Sequence, residues 1–271
     1  MARVTRLPGE GSAEVIQSVD RALRILTVLQ GGRRMALGEI AGALELPPST
    51  VHGIIRTLLA HGMVAQERDS QRYRLGPATL RLGNVYLDTL ELRSRVSTWA
   101  GELARRTGFA VRTGVLLQGD IVVVHHEPRP DGTRQMPEVG IVIPAHSCAL
   151  GKAVLAYDGD AAALVLAGPR RSMTGDTVTA KAVLRAQLAE VRASGLATEA
   201  EEAVLGECGV AAPLAEAGGE VAGAIGLVVP SGEWPADPSA SDALRTAARA
   251  VSRELGAQAW PPTATGRAAT A

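Results

Sequence analysis

The sequence predicts an α+β protein built from a small helical head and a larger domain around an antiparallel sheet. Three observations lead there. Helical periodicity dominates up to about residue 107, and beyond it strand pairs alternate with helices in blocks, not in the strict strand–helix repeat of a parallel sheet. Charge is also unevenly shared. The 271 residues carry 28 basic and 28 acidic side chains, yet a cut near residue 86 leaves eleven basic against seven acidic residues before it and 17 against 21 after it. A basic head on an acidic body points to a nucleic-acid module joined to a second domain.

In order along the chain, residues 1–14 are polar and contain Pro8, Gly9 and Gly11, which predicts a flexible arm bearing Arg3 and Arg6. Ser18 is a suitable N-cap for a first helix whose Val19, Ala22, Leu23, Leu26 and Leu29 recur at helical spacing up to Gly31-Gly32. A second helix is expected over 37–44. Leu46-Pro47-Pro48-Ser49 then forms a turn, because proline bars its predecessor from the helical region. The third helix that follows carries Val51, Ile54, Ile55, Leu58 and Leu59 on one stripe, with Ser49, Thr50, His52 and Arg56 off it and Gly62 just past its end. Two short extended runs, 63–67 and 73–75, flank Arg68-Asp69-Ser70-Gln71-Arg72 and read as a hairpin. Three short helices and a basic hairpin are the layout of a winged helix-turn-helix over residues 15–76, whose last helix enters the major groove.

Residues 77–107 read as linker helices, one short and one long, interrupted near Gly83-Asn84; their apolar face serves either the domain core or a subunit contact. Strands at 111–117 and 121–125 flank the turn Gln118-Gly119-Asp120, and strands at 210–214 and 221–229 flank Ala217-Gly218-Gly219. Helices are expected at 147–157, 180–194 and 239–255. The domain spans 108–258, and the low-complexity residues 259–271 are expected to be a disordered tail.

Composition narrows the function. No run approaches the roughly 18 to 20 apolar residues of a membrane span, and the start lacks an apolar leader core, so neither membrane nor export is expected. Two cysteines in 271 residues exclude a disulfide framework and fit a reducing, cytoplasmic setting. Aromatics at 3% give no base-stacking platform for single strands.

The residues resemble the IclR family of bacterial transcriptional regulators over nearly all of 16–257. The resemblance rests on Ser18-Val19-Asp20-Arg21-Ala22-Leu23, on Leu46-Pro47-Pro48-Ser49-Thr50-Val51-His52, on Tyr73-Arg74-Leu75-Gly76-Pro77, and on His146-Ser147-Cys148-Ala149-Leu150-Gly151-Lys152-Ala153 followed by Val210-Ala211-Ala212-Pro213. It implies a winged helix-turn-helix joined by a helix to a GAF-like effector domain, assembled as a dimer or tetramer on operator DNA. Two departures stand out. Pro48 and Gly53 occupy places where the family often has basic residues, which moves affinity toward Arg56 and the hairpin. A cysteine that commonly precedes the Val-Ala-Ala-Pro stretch is Gly209 here, with Cys208 one place earlier, and on a strand that shift sends the thiol to the other face.

These readings assign candidate residues. On the DNA side, Arg56 has the fork to read guanine, Ser49 and Thr50 sit where hydroxyls and backbone N–H groups meet phosphate, His52 shares their face, and Arg68, Arg72 and Arg74 on the hairpin neutralise phosphates. Arg33 and Arg34 are weaker candidates for the same work. On the effector side, His146, Ser147, Cys148 and Ala149 open a helix whose free N–H groups suit a carboxylate, between walls that include Val210, Ala211, Ala224 and Gly226; capping by Ser147 is the plain alternative. Adjacent His125 and His126 point to opposite faces of a strand, so with Glu127 and Asp120 they do not make a metal site. Cys148 beside His146 lacks an orienting third group, so no catalytic residue is assigned, and no cofactor is expected. The function expected is a ligand-responsive regulator, a repressor by analogy, that binds a small metabolite such as an organic acid. The alternatives are a metabolite-binding or enzymatic protein whose head serves protein contacts only, and a DNA-binding protein whose second domain only oligomerises.

Overall fold

The computed structural model describes residues 15–32, 34–133 and 135–264. The expected arm at 1–14, Arg33 and the last seven tail residues lie outside them. The chain forms two compact units that meet between Leu87 and Asp88.

The first unit packs α1 (Gln17–Gly32), α2 (Leu37–Leu44) and α3 (Pro48–Ala60) against a hairpin of β1 (Val64–Gln66) and β2 (Tyr73–Leu75). Its core is Ile25, Leu29, Ile40, Leu44, Val51, Ile55, Leu58, Val64 and Tyr73. α1 differs from expectation at both ends of the argument. It begins at Gln17, so Ser18 lies inside the first turn, and its buried stripe runs through Ile25 and Leu29 while Val19 and Leu23 stay exposed. α3 buries the predicted side and ends in a Schellman turn: Gly62 takes φ 68°, its N–H bonds Leu59 O at 2.9 Å, and Met63 N–H reaches Leu58 O at 2.9 Å. The hairpin gains a third member, because Met35 and Tyr73 exchange backbone hydrogen bonds of 2.9 and 2.7 Å.

α4 (Pro77–Thr89) carries the chain across the boundary between units and runs unbroken through Gly83-Asn84. The break comes instead at Leu90, before α5 (Glu91–Thr107). A helix tolerates an interior glycine at about 1 kcal/mol, so Gly83 weakens α4 without ending it.

The second unit is a sheet covered on both faces. Its strands are β3 (Ala110–Leu117), β4 (Asp120–Glu127), β5 (Val142–Pro144), β6 (Ala197–Ala200), β7 (Glu207–Ala215) and β8 (Val221–Pro230). The spatial order is β5-β4-β3-β8-β7-β6, antiparallel throughout. One face packs on α5 and on α9 (Pro238–Glu254) through Val96, Leu103, Val111, Val210, Leu214, Ile225, Leu227, Leu244 and Val251. The other packs on α6 (Ala149–Leu155), α7 (Gly159–Ala167) and α8 (Lys181–Ser194) through Ile121, Ala153, Leu184, Leu188, Ala211 and Ala224. Large residues therefore alternate with small ones along β7 and β8, and the small set lets α6 approach closely.

The tail is ordered further than expected. Trp260 Nε1–H donates to Pro213 O at 2.8 Å and Thr263 N–H to Gly219 O at 3.1 Å. These bonds hold residues 259–264 against the rim of the sheet.

Two glycines give opposite tests of packing. A Cβ on Gly151 would fall inside the Ala145 backbone, whereas one on Gly53 would meet nothing within 4 Å. Chemical denaturation should show Gly151→Ala destabilised by about 3 kcal/mol or more, as overpacking against backbone requires. Gly53→Ala, in an exposed helix interior, should be stabilised by about 1 kcal/mol.

Candidate nucleic-acid interface and effector pocket

Ser49, His52, Gly53 and Arg56 lie at i, i+3, i+4 and i+7 on α3, which puts them on one exposed face, with Thr50 half-buried at its edge. The helix start offers fewer donors than a polar start would. Pro48 has no N–H, and Thr50 and Val51 N–H groups already bond Pro47 O at 3.0 and 3.2 Å. The hydroxyl and backbone N–H of Ser49 are what remains there. The Arg56 guanidinium has no ion-pair partner among the described residues.

The hairpin arginines do not act alike. Arg68 is exposed and unpaired among the described residues. Arg72 instead clamps the hairpin to α2: its Nη1 and Nη2 donate to Glu39 at 2.9 and 3.2 Å, and Nη1 also donates to Arg34 O at 3.1 Å. Glu39 in turn accepts the Ala36 N–H at 2.8 Å. That backbone bond, followed by Arg72, holds the Glu39 carboxyl below its ordinary pKa. Arg34 lies 3.0 Å and Arg74 4.0 Å from Glu67. Arg72 is thus already committed to structure, which sequence spacing could not reveal.

In the second unit the predicted effector residues separate. His146 sits in a one-turn helix over 145–147, with Nε2 2.9 Å from Arg171 O, which makes that nitrogen the donor. It borders an open cleft of about 550 Å³ shared with Asp120, Pro144, Leu164, Arg171 and Met173. Ser147 is not the cap of α6. It is fully buried and donates its hydroxyl to Pro144 O at 3.0 Å. Cys148 caps instead, its Sγ accepting from Gly151 N–H at 3.4 Å and its carbonyl from Lys152 N–H at 3.0 Å. Two of the first four N–H groups of α6, those of Gly151 and Lys152, are therefore already taken. Burial also pushes the Cys148 thiol up to about 12, far from a thiolate nucleophile.

Cys148, Ala149, Val210, Ala211 and Gly226 do come together, around a cavity of about 30 Å³ beneath α6. Val210 contributes backbone only, because strand alternation sends its side chain into the α5–α9 core. Ala224 is buried beside this cavity without lining it. Cys208 faces the α5–α9 core as well, and the empty Cβ position of Gly209 points the other way, 3.2 Å from Glu199 Oε1 and 3.3 Å from Ala149 Cβ.

Sequence reasoning missed the charged groups of this cavity, Arg112 and Glu199. Arg112 Nε and Nη2 are both engaged by Glu138, and Nη1 donates to Glu207 at 3.0 Å. Glu199 accepts Glu202 N–H at 3.0 Å. Burial raises its pKa to about 7, with the neighbouring Glu202 carboxylate adding to the shift. Lys152, fully buried on α6, pairs with Glu202. A charge flanked by apolar neighbours on a strand, as in Ala110-Val111-Arg112, was the available signal. His125 and His126 sit on opposite sides of β4, 4.0 Å from Glu127 and 3.9 Å from Glu138 respectively, and burial pulls both imidazoles below their ordinary pKa.

The comparisons with known proteins match both units. The IclR helix-turn-helix domain model covers residues 18–68 and the bacterial transcriptional regulator IclR C-terminal model covers 84–253. This chain belongs to the IclR family of bacterial transcriptional regulators. It is 44% identical over 250 residues to the glycerol operon regulatory protein of Streptomyces griseus, spanning 90% of this chain and 98% of that one. The IclR transcriptional regulator of Alicyclobacillus acidocaldarius is 26% identical, covers 89% of this chain and 99% of its own, and superposes with a TM-score of 0.75. An IclR homologue from Microbacterium hydrocarbonoxydans, solved with 4-hydroxybenzoate, shares the fold at 22% identity, with 88% and 98% coverage and a TM-score of 0.72. The helix-turn-helix and the mixed helix–sheet architecture of an IclR regulator are thus both present, and no helix among the described residues is long and apolar enough to cross a membrane.

Glu199 makes stability depend on pH. Folded, it keeps its proton to about pH 7 against an ordinary value of 4.5, so its ionisation opposes folding. The contribution is favourable below pH 4.5 and is lost as pH rises through 7, by about 3 kcal/mol for a shift of this size. Glu199→Gln should remove that slope, so the variant's thermal midpoint should rise relative to the parent between pH 5 and pH 8.

Proposed function

We propose that this IclR-family regulator reads operator DNA through the 49–52–53–56 face of α3 and responds to a small-molecule effector held beneath α6. The observation that carries the DNA half is Arg56, exposed and unpaired among the described residues at the C-terminal end of that face. A guanidinium reads guanine O6 and N7 bidentately. Arg68 then supplies backbone affinity, Arg74 stays a weaker contributor beside Glu67, and Arg72 acts indirectly by fixing the hairpin to α2. Ser49 anchors a phosphate, with Thr50 and His52 at the margins.

For the effector half, Arg112 is the natural partner of an organic acid. Its guanidinium is held by Glu138 and Glu207, so a ligand carboxylate would enter by exchange for one of them and release it. Glu199, close to half-protonated at neutral pH, can donate to the same ligand. The cavity holds little more than a water molecule in this state, so binding requires α6 to move. That movement would give the ligand different affinities for two arrangements, which is what coupling to DNA demands. The name of the Streptomyces relative, a glycerol operon regulatory protein, supports an operon for glycerol as the target, and repression is the mode we propose. The protein is placed in the cytoplasm and is given no enzymatic role.

Operator binding also needs two heads. α1 exposes Val19 and Leu23, and α4 exposes Leu80, Leu82 and Val85. A second copy of the chain is the partner proposed for these faces, giving a dimer or a tetramer made of dimers.

Fluorescence anisotropy with operator duplex across a salt series tests the DNA reading. Arg56→Ala should cost about 1–3 kcal/mol on the operator and relax its specificity, and Arg68→Ala should weaken all duplexes alike and lower the salt slope by about 1. Binding insensitive to salt would instead support a head used for protein contacts. Light scattering tests assembly: Leu80→Asp combined with Val85→Asp should yield a smaller species than the parent and weaker operator binding.

A further inference from the structure

The C-terminal end of α9 carries a cleft that neither the DNA face nor the effector cavity uses. Past Glu254 the chain turns through Gly256, at φ 87°, and Ala257 N–H closes the turn on Ser252 O at 2.9 Å. Trp260 is then fixed from three sides. Its Nε1–H donates to Pro213 O at 2.8 Å, its ring edge lies 3.0 Å from the empty Cβ position of Gly195, and the Arg249 guanidinium sits 5.1 Å from its ring centroid. Between this segment and the last turns of α9 is a cleft of about 190 Å³, bordered by Arg249, Ser252, Arg253, Gln258 and Trp260.

The charge of this cleft is one-sided. Arg249 and Arg253 are four residues apart on α9, both exposed, and neither has an ion-pair partner among the described residues. Among the described residues no carboxylate lines the cleft. The nearest acid in sequence, Glu254, is turned to Trp99 Nε1 at 2.8 Å, and Asp242 pairs with Arg245 at 3.1 Å. The Ser252 hydroxyl is consumed, since it accepts Ala215 N–H and donates to Ala248 O. A helix C-terminus favours a nearby cation, which accounts for Arg253. It does not account for Arg249, which is a turn further back and stacked on an indole. Stacking restrains a guanidinium and leaves its N–H edge free for bidentate bonds to an oxyanion.

We propose that this cleft is a second ligand site, taking a small molecule through a phosphate group. Two guanidiniums four residues apart, one of them held over the Trp260 ring, with no counter-carboxylate among the described residues match a dianion better than a monocarboxylate. The size agrees, because 190 Å³ is below the roughly 300–1,000 Å³ of drug-sized sites. Gln258 and Trp260 lie beyond residue 253, where the match to the family model ends. The site is thus built in part from a segment outside the common effector domain.

Isothermal titration of the full chain at pH 8, with inorganic phosphate and with acetate at one ionic strength balanced by sodium chloride, tests this. Saturable phosphate binding is expected, with acetate at least tenfold weaker. Arg249→Gln combined with Arg253→Gln should lose tenfold or more in phosphate affinity while still giving a cooperative thermal transition without phosphate, since both side chains are exposed. Trp260→Leu should give a smaller loss, and Arg112→Gln should bind phosphate like the parent. The proposal is overturned by absence of saturable phosphate binding, by binding that survives the double substitution, or by loss with Arg112→Gln, which would place the ion in the effector cavity. Equal binding of acetate would overturn the phosphate assignment.

Discussion

Burial of the sheet on both faces is the constraint from which the second unit follows. Each residue of β7 and β8 meets one of two cores, and the two cores want different sizes. Val210, Leu214, Ile225 and Leu227 fill the space under α5 and α9, while Gly209, Ala211, Ala224 and Gly226 let α6 lie almost on the strands. Gly151 completes this arrangement from the helix side by resting on the Ala145 backbone. Close approach leaves room only for a small cavity, and a ligand larger than that cavity must displace the helix.

The same burial explains the charges. A lone buried ion costs several kcal/mol, so every charged group brought into this layer arrives with a partner. Lys152 has Glu202, whose second oxygen accepts the Val178 N–H at 3.2 Å. Arg112 has Glu138 and Glu207. Glu199 has no ion-pair partner among the described residues and answers by holding a proton, its pKa raised by burial to about 7. Acidic side chains outnumber basic ones around the cavity, so the organic acid we propose would enter by exchange on Arg112 and not by simple addition. In the first unit the Arg72–Glu39 pair has a different task. It is half-exposed and adds little stability, but it joins the hairpin to α2 and sets where Arg68 projects.

How much of this was legible in the sequence depended on the range of the interaction responsible. Long amphipathic segments such as α3, α5 and α9 follow from local periodicity, and so does the opposite facing of His125 and His126. The edge strands β5 and β6, three and four residues long, and α7, whose Gly159–Ala167 segment is apolar nearly all round, carry too little contrast for that. α1 misled because its exposed Val19 and Leu23 imitate a core stripe. In the candidate site, motif reading brought five residues to one cavity but could not see that Ser147 turns inward, that Cys148 takes the cap, or that Arg112 arrives from a strand some 36 residues away in sequence. Those are tertiary facts, and no spacing rule encodes them.

The division of work among the arginines is the last consequence of the same physics. The hairpin and its neighbours hold Arg34, Arg68, Arg72 and Arg74, yet Glu39 and Glu67 engage three of them. A basic segment counted from sequence therefore overstates the charge that DNA meets. What remains is Arg68 at the hairpin and Arg56 on α3, for which the roles we propose differ, base edges for the helix residue and backbone for the hairpin residue. With Pro48 removing a backbone donor and Gly53 adding no side chain, the proposed DNA face offers few contacts, and the second copy proposed above would raise affinity by placing two heads on one operator.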